Sequence, residues 1–111
     1  MAPKRNTVRN RSSDTAKITD VEFHFRCSSG AEATYREEVY VDSGNRVIKY
    51  NLAFIHFGLS QVDHGRVVGY DNAHGFHERH FMGQVEAVEF TSYEDTVRQF
   101  QAEVRHYRET A

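Results

Sequence analysis

Arg46-Val47-Ile48-Lys49-Tyr50-Asn51-Leu52-Ala53-Phe54-Ile55-His56-Phe57 is the stretch on which the fold turns. Ile48, Tyr50, Leu52 and Phe54 recur at every second position, with Lys49 and Asn51 between them. That is the period of a strand with one buried face. Its later half, Ala53 to Phe57, is apolar on both faces, which suggests a central position in a sheet or cover on both sides.

The flanking sequence supplies partners for such a strand. Upstream, Val21, Phe23, Phe25 and Cys27 alternate with Glu22, His24 and Arg26, and folded structure is expected to begin near Ile18. Ser28-Ser29-Gly30 reads as a turn into a second strand, Ala33 to Val41, so the two form a hairpin. Asp42-Ser43-Gly44-Asn45 is the clearest turn, because Gly and Asn tolerate positive φ. Downstream, Asp63-His64-Gly65 is a turn before a short fourth strand, Arg66 to Tyr70, that delivers Asp71 at its end. Val85 to Phe90 reads as a fifth strand.

A helix follows. Thr91 with Glu94, or Ser92 with Asp95, forms a capping box. Tyr93, Val97, Phe100, Val104 and Tyr107 share one helical face, and Glu94, Arg98, Gln101, Arg105 and Arg108 lie on the other. The expected fold is α+β: an antiparallel β-meander of about five strands with one C-terminal α-helix packed on one face.

A chain of 111 residues makes one domain. Hydrophobic residues are 39% of it and mean hydropathy is −0.70. With eight Phe and six Tyr, the core should be rich in aromatics. No apolar run reaches the length of a membrane span. The basic N-terminus is not followed by the apolar segment of a secretory signal. A lone cysteine forms no intrachain disulfide, so the expected compartment is the cytoplasm. Cys27 reads as a small core residue.

The net charge of −2 conceals an asymmetry. Residues 1–17 carry Lys4, Arg5, Arg9, Arg11 and Lys17 against Asp14, and have too few apolar residues to fold alone. They are expected to form a flexible basic arm ahead of a single domain spanning 18–111. Lys4, Arg5, Arg9 and Arg11 are candidates for nucleic-acid binding.

Chemistry concentrates in Gly69-Tyr70-Asp71-Asn72-Ala73-His74-Gly75-Phe76-His77-Glu78-Arg79-His80. Asp71, His74, His77 and His80 follow one another at intervals of three. Gly75 and Asp71-Asn72 indicate a loop leaving a strand end. Three readings fit. Imidazoles and Asp71 suit a first-row metal, although His-x-x-His-x-x-His is not a standard zinc pattern. Two imidazoles can act as acid and base on a ribose phosphodiester, with Arg79 offsetting charge on the phosphate and no cofactor required. The same residues can also serve only the loop's own hydrogen bonds. The catalytic candidates are Asp71, His74, His77, Arg79 and His80, supported by Tyr70 and Asn72. His56, in the most apolar strand, is expected to be a satisfied core or supporting histidine, and His24 and His64 are background.

Tyr70-Asp71-Asn72, Gly75, Arg79-His80 and Gly83, followed by Phe90, Ser92 and the helix carrying Asp95, Phe100 and Val104, resemble the TumE-like family of bacterial type II toxin-antitoxin toxins. The resemblance covers roughly residues 46–107 and is strongest over 69–83. The loop is slightly shorter than in typical members, His74 is extra, and Gly69 stands where members often have Arg. The resemblance implies a cytoplasmic, growth-inhibiting toxin neutralised by a cognate antitoxin, often a helix-turn-helix protein. Matched by position, Asp71, Asn72, Arg79 and His80 are its functional residues, whereas His74 and His77 come from the residue chemistry alone. Action on RNA is likewise inferred from the residues, with His80 and His77 as acid and base and Asp71 orienting an imidazole. Two alternatives stay open: a non-catalytic nucleic-acid-binding regulator using the basic arm, and a metal-dependent hydrolase using the histidines. Homo-oligomerisation is also open.

Overall fold

The computed structural model describes residues 15–111. Six strands form one sheet in chain order: β1 (Ala16–Arg26), β2 (Glu32–Val41), β3 (Val47–Ile55), β4 (Arg66–Asp71), β5 (Glu78–Phe81) and β6 (Gln84–Ala87). Every neighbouring pair is antiparallel. The helix α1 (Tyr93–Thr110) closes the described chain. The expected meander with one C-terminal helix is present, with one strand more than anticipated.

The extra strand is β5, and it lies inside the stretch that reads as a loop in sequence. Glu-Arg-His-Phe has little of the β-branched or apolar alternation that announces a strand. Pairing with β4 on one side and β6 on the other holds it extended. The strand expected over Val85–Phe90 is shorter and earlier, at Gln84–Ala87, after which the Val88 N–H donates to the His77 carbonyl at 3.0 Å.

β3 is the third of six strands, as its two-sided apolar half suggests. Tyr50, Leu52 and Phe54 are buried together with Val39, Val68 and Tyr70. Helix α1 lies over β3 and β4. Phe100 is fully buried, with its ring 5.3 Å from Tyr35 and 6.3 Å from Tyr70, and Tyr107 stacks on Phe54. The helix starts where the cap dictates: Ser92 Oγ accepts from the Asp95 N–H at 3.1 Å. The Asp95 carboxylate accepts from Thr91 Oγ1 instead of completing the reciprocal box.

Because α1 covers the centre of the sheet, the apolar face of β1 is only partly covered. Phe23 is 60% exposed, although its alternation with Glu22 and His24 is that of a half-buried strand. Cys27 is buried as expected, and burial pushes its thiol pKa up. His56 is a correction. It is buried, but neither ring nitrogen has a hydrogen-bond partner among the described residues, so its polar atoms are not satisfied. Its ring meets Phe54 edge-on.

Of the basic arm, Lys4, Arg5, Arg9 and Arg11 lie outside the described residues. Lys17 belongs to β1, where it pairs with Asp20 and Glu38 at 3.1 Å each. No helix among the described residues is long and apolar enough to cross a membrane.

Candidate functional site

The β4–β5 register sets the site. Tyr70 stands opposite Arg79, Asp71 opposite Glu78, and Gly69 opposite His80. Residues directly opposite share a face, and successive residues alternate. Asp71, Glu78 and His80 therefore lie on the face away from α1, while Tyr70 and Arg79 look toward the helix. The connection between the strands turns at Gly75, whose φ of 87° is open to glycine at little cost. Asn72 fixes that turn to β3: its Oδ1 accepts from the Tyr50 N–H at 3.1 Å and its Nδ2 donates to the Ile48 carbonyl at 3.0 Å.

On the outer face, His80 is 7% exposed, Asp71 7% and Glu78 6%. Arg66 Nη2 lies 2.9 Å from His80 Nδ1. A guanidinium only donates, so Nδ1 accepts and the proton of the neutral ring sits on Nε2. Nε2 is 2.9 Å from Asp71 Oδ2 and 3.9 Å from Glu78 Oε1. It is aligned with neither, however, and remains a buried nitrogen without a hydrogen bond among the described residues. The short distance is an electrostatic contact, not a formed bond.

Arg66 also binds Asp63, Nε to Oδ2 at 2.8 Å, and its Nη1 approaches Asp71 Oδ2 at 3.5 Å. Its side chain crosses β4 over Gly69: a Cβ there would sit 2.7 Å from Arg66 Cδ and 2.6 Å from the Leu52 carbonyl oxygen. Asp71 Oδ1 accepts from the Ala73 N–H at 3.1 Å. Glu78 Oε1 lies 2.9 Å from Nδ1 of the exposed His74, and this hydrogen bond raises the His74 pKa. A groove of about 300 Å³ opens beside Asp71, lined by Tyr40, Lys49, Asn51 and Ala73 among others. Asp71, Glu78 and His80 each offer one ligand atom, all within 4.8 Å of one another.

The inner face has a different character. Tyr70 Oη donates to Glu103 Oε1 at 2.7 Å. Arg79 binds Glu103 Oε2 through Nε at 3.1 Å and Nη2 at 2.5 Å. Burial, then Glu103, raises the Tyr70 pKa. His77 stacks on Phe90 at 3.8 Å and shares a 2.8 Å hydrogen bond with Tyr50 Oη, and burial lowers its pKa.

Of the residues singled out in the sequence, the structure thus brings together Asp71, His74 and His80. It places Tyr70, His77 and Arg79 on the other face, because a strand alternates where a loop need not. Asn72 positions the turn. Arg66, Glu78, Asp63 and Glu103 carry contacts that sequence reasoning did not assign. Glu78 was visible within the cluster. Arg66 and Asp63 are separated from His80 by a strand and a turn, and Glu103 sits on the distant helix, so no local spacing signals them.

A family model described as Toxin TumE matches residues 4–108, which takes in the sheet, both faces of the β4–β5 pair and nearly all of α1. This chain belongs to the TumE toxin family. No curated protein and no solved structure matches it. As a TumE-family toxin it is one half of a toxin–antitoxin pair, and a cognate antitoxin is its implied partner.

Proposed function

We propose that this TumE-family toxin stops growth by cleaving RNA, and that the outer face of the β4–β5 pair is its active site. The observation that carries this reading is the buried His80 ring. Arg66 fixes its tautomer, and its Nε2 is directed between two carboxylates beside an open groove.

In this reading the RNA backbone lies in the groove, where Lys49 supplies positive charge to the phosphate and Arg66 adds to it from beside Asp71. Asp71, held by the Ala73 N–H and neighboured by His80, accepts the proton of a ribose 2′-hydroxyl. The freed oxygen attacks phosphorus and the bond to the 5′-oxygen breaks. His74, whose pKa the Glu78 hydrogen bond raises, gives a proton to that leaving oxygen from its imidazolium form. Arg79 and His77 act indirectly, by holding β5 against the helix and the aromatic core. Lys4, Arg5, Arg9 and Arg11 add sequence-independent affinity for phosphate. The protein works in the cytoplasm, where its RNA substrate and a helix-turn-helix antitoxin are found.

The test is expression in a bacterial host without the antitoxin, with growth and total RNA followed together. Wild type is expected to arrest growth and fragment RNA, and Asp71→Asn and His80→Gln to do neither while melting cooperatively. If both variants remain as toxic as wild type, the outer face is not the active site. RNA binding without turnover, lost on deleting residues 1–17, would instead support a non-catalytic regulator.

A further inference from the structure

Asp71 and Glu78 stand directly opposite each other across the β4–β5 ladder, and both are more than nine-tenths buried. Like charges so placed repel, and burial deepens the repulsion. The compensation in place is thin. Asp71 receives one backbone N–H, a distant Arg66 Nη1 at 3.5 Å and the misaligned His80 Nε2 at 2.9 Å, and Glu78 receives His74. His80 Nε2 lies against both carboxylates, 2.9 Å from Asp71 Oδ2 and 3.9 Å from Glu78 Oε1, buried and without a hydrogen bond among the described residues.

We propose that Asp71 Oδ2, Glu78 Oε1 and His80 Nε2 form a binding site for a first-row divalent cation such as Mn²⁺ or Zn²⁺. The inference rests on the reading of this face as the RNA-cleaving site and deepens it. One imidazole with two carboxylates suits such ions, whereas Mg²⁺ and Ca²⁺ favour all-oxygen shells. Three protein ligands leave positions open for water and a phosphate oxygen. A nucleophile bound there loses its proton to solvent more readily, which relieves Asp71 of accepting it.

Proton placement makes the proposal specific. A ring that ligates through Nε2 carries its proton on Nδ1, the atom that now accepts from Arg66. Loading therefore moves the proton from Nε2 to Nδ1 and displaces Arg66 from the ring. Asp63 Oδ2, 3.8 Å from Nδ1, is placed to receive the new N–H. Arg66 then keeps its bond to Asp63. Arg66 and the cation compete for one cluster, so removing the guanidinium should tighten metal binding.

Calorimetric titration of chelator-treated, full-length protein with MnCl₂, and separately with ZnCl₂, tests this. One ion per chain is expected. Asp71→Asn and the isosteric Glu78→Gln should each weaken it by about tenfold or more, since the loss of even an outer-shell partner of a metal ligand costs about that much. Arg66→Met should tighten it several-fold, and His24→Gln with His64→Gln should leave it unchanged. No binding, binding indifferent to Asp71→Asn and Glu78→Gln, or binding lost with His24 and His64 each overturns the proposal. The two readings fail separately. Toxicity lost in Asp71→Asn without any ion binding removes the cation and keeps the active site. Ion binding with toxicity intact in Asp71→Asn keeps the cation and removes the active site.

Discussion

Arg79 and Glu103 should behave as a structural pair, and a double-mutant cycle measures it. Their side chains are 21% and 22% exposed, and Arg79 meets the carboxylate through two nitrogens, at 3.1 and 2.5 Å. Tyr70 Oη adds a third donor at 2.7 Å. Hydrogen bonds to charged groups contribute about 1.5–3 kcal/mol each, and partial exposure lowers the yield. Glu103→Ala strands donors on both Arg79 and Tyr70, leaving Arg79 with Glu86 at 3.6 Å, Tyr70 and the face of Phe81, and should destabilise by about 2 kcal/mol. At about 4–8 °C per kcal/mol for a domain of this size, Tm should fall by about 8–16 °C. Arg79→Ala should cost about the same, and the double variant clearly less than the sum, with a coupling of about 1.5 kcal/mol. Thermal and urea melts followed by circular dichroism give all four corners. At a temperature well below the lowered Tm, Arg79→Ala should still arrest growth. Additivity within about 0.5 kcal/mol would refute the pairing. Toxicity lost at unchanged Tm would return Arg79 to the active site.

Gly69→Ala should destabilise the fold by about 1–3 kcal/mol, because the new methyl meets a backbone carbonyl that cannot step aside, and should also dislodge Arg66 from His80; urea midpoint and growth inhibition would both fall. Ser92→Ala removes the helix cap and should cost about 1 kcal/mol, lowering the urea midpoint without changing its slope. Burial pushes Tyr35 and Tyr50 up to about 12. Groups raised in the folded state stabilise it fully below their unfolded pKa of about 10, and that contribution is lost as pH climbs through the folded values. Tyrosinate absorbance from these residues should therefore appear together with loss of circular dichroism as pH rises from about 10 to 12. A full change for all six tyrosines near pH 10 with the fold intact would contradict this.

The elements that the sequence announces are those with a strong period. Tyr50, Leu52 and Phe54 mark the central strand, and Tyr93, Val97, Phe100, Val104 and Tyr107 mark the helix and the face it buries. The site was legible only in its composition. Its histidines and Asp71 were evident, but their grouping depended on whether residues 78–81 were loop or strand. Glu-Arg-His-Phe gives no local answer, because pairing with β4 and β6 decides it. His56 shows the same limit: apolar neighbours foretold its burial but not its lack of a hydrogen bond.

The chain alone therefore determined a meander of about five strands, the helix and its cap, and the kinship to TumE toxins, since each rests on spacing along the backbone. Only the tertiary structure decided that Arg79 faces the helix, that Arg66 takes the place beside His80, and that Glu78 completes the cluster. The reason is the two-residue alternation of paired strands. It sends neighbours such as Arg79 and His80 to opposite faces, and it brings together residues that the sequence keeps apart.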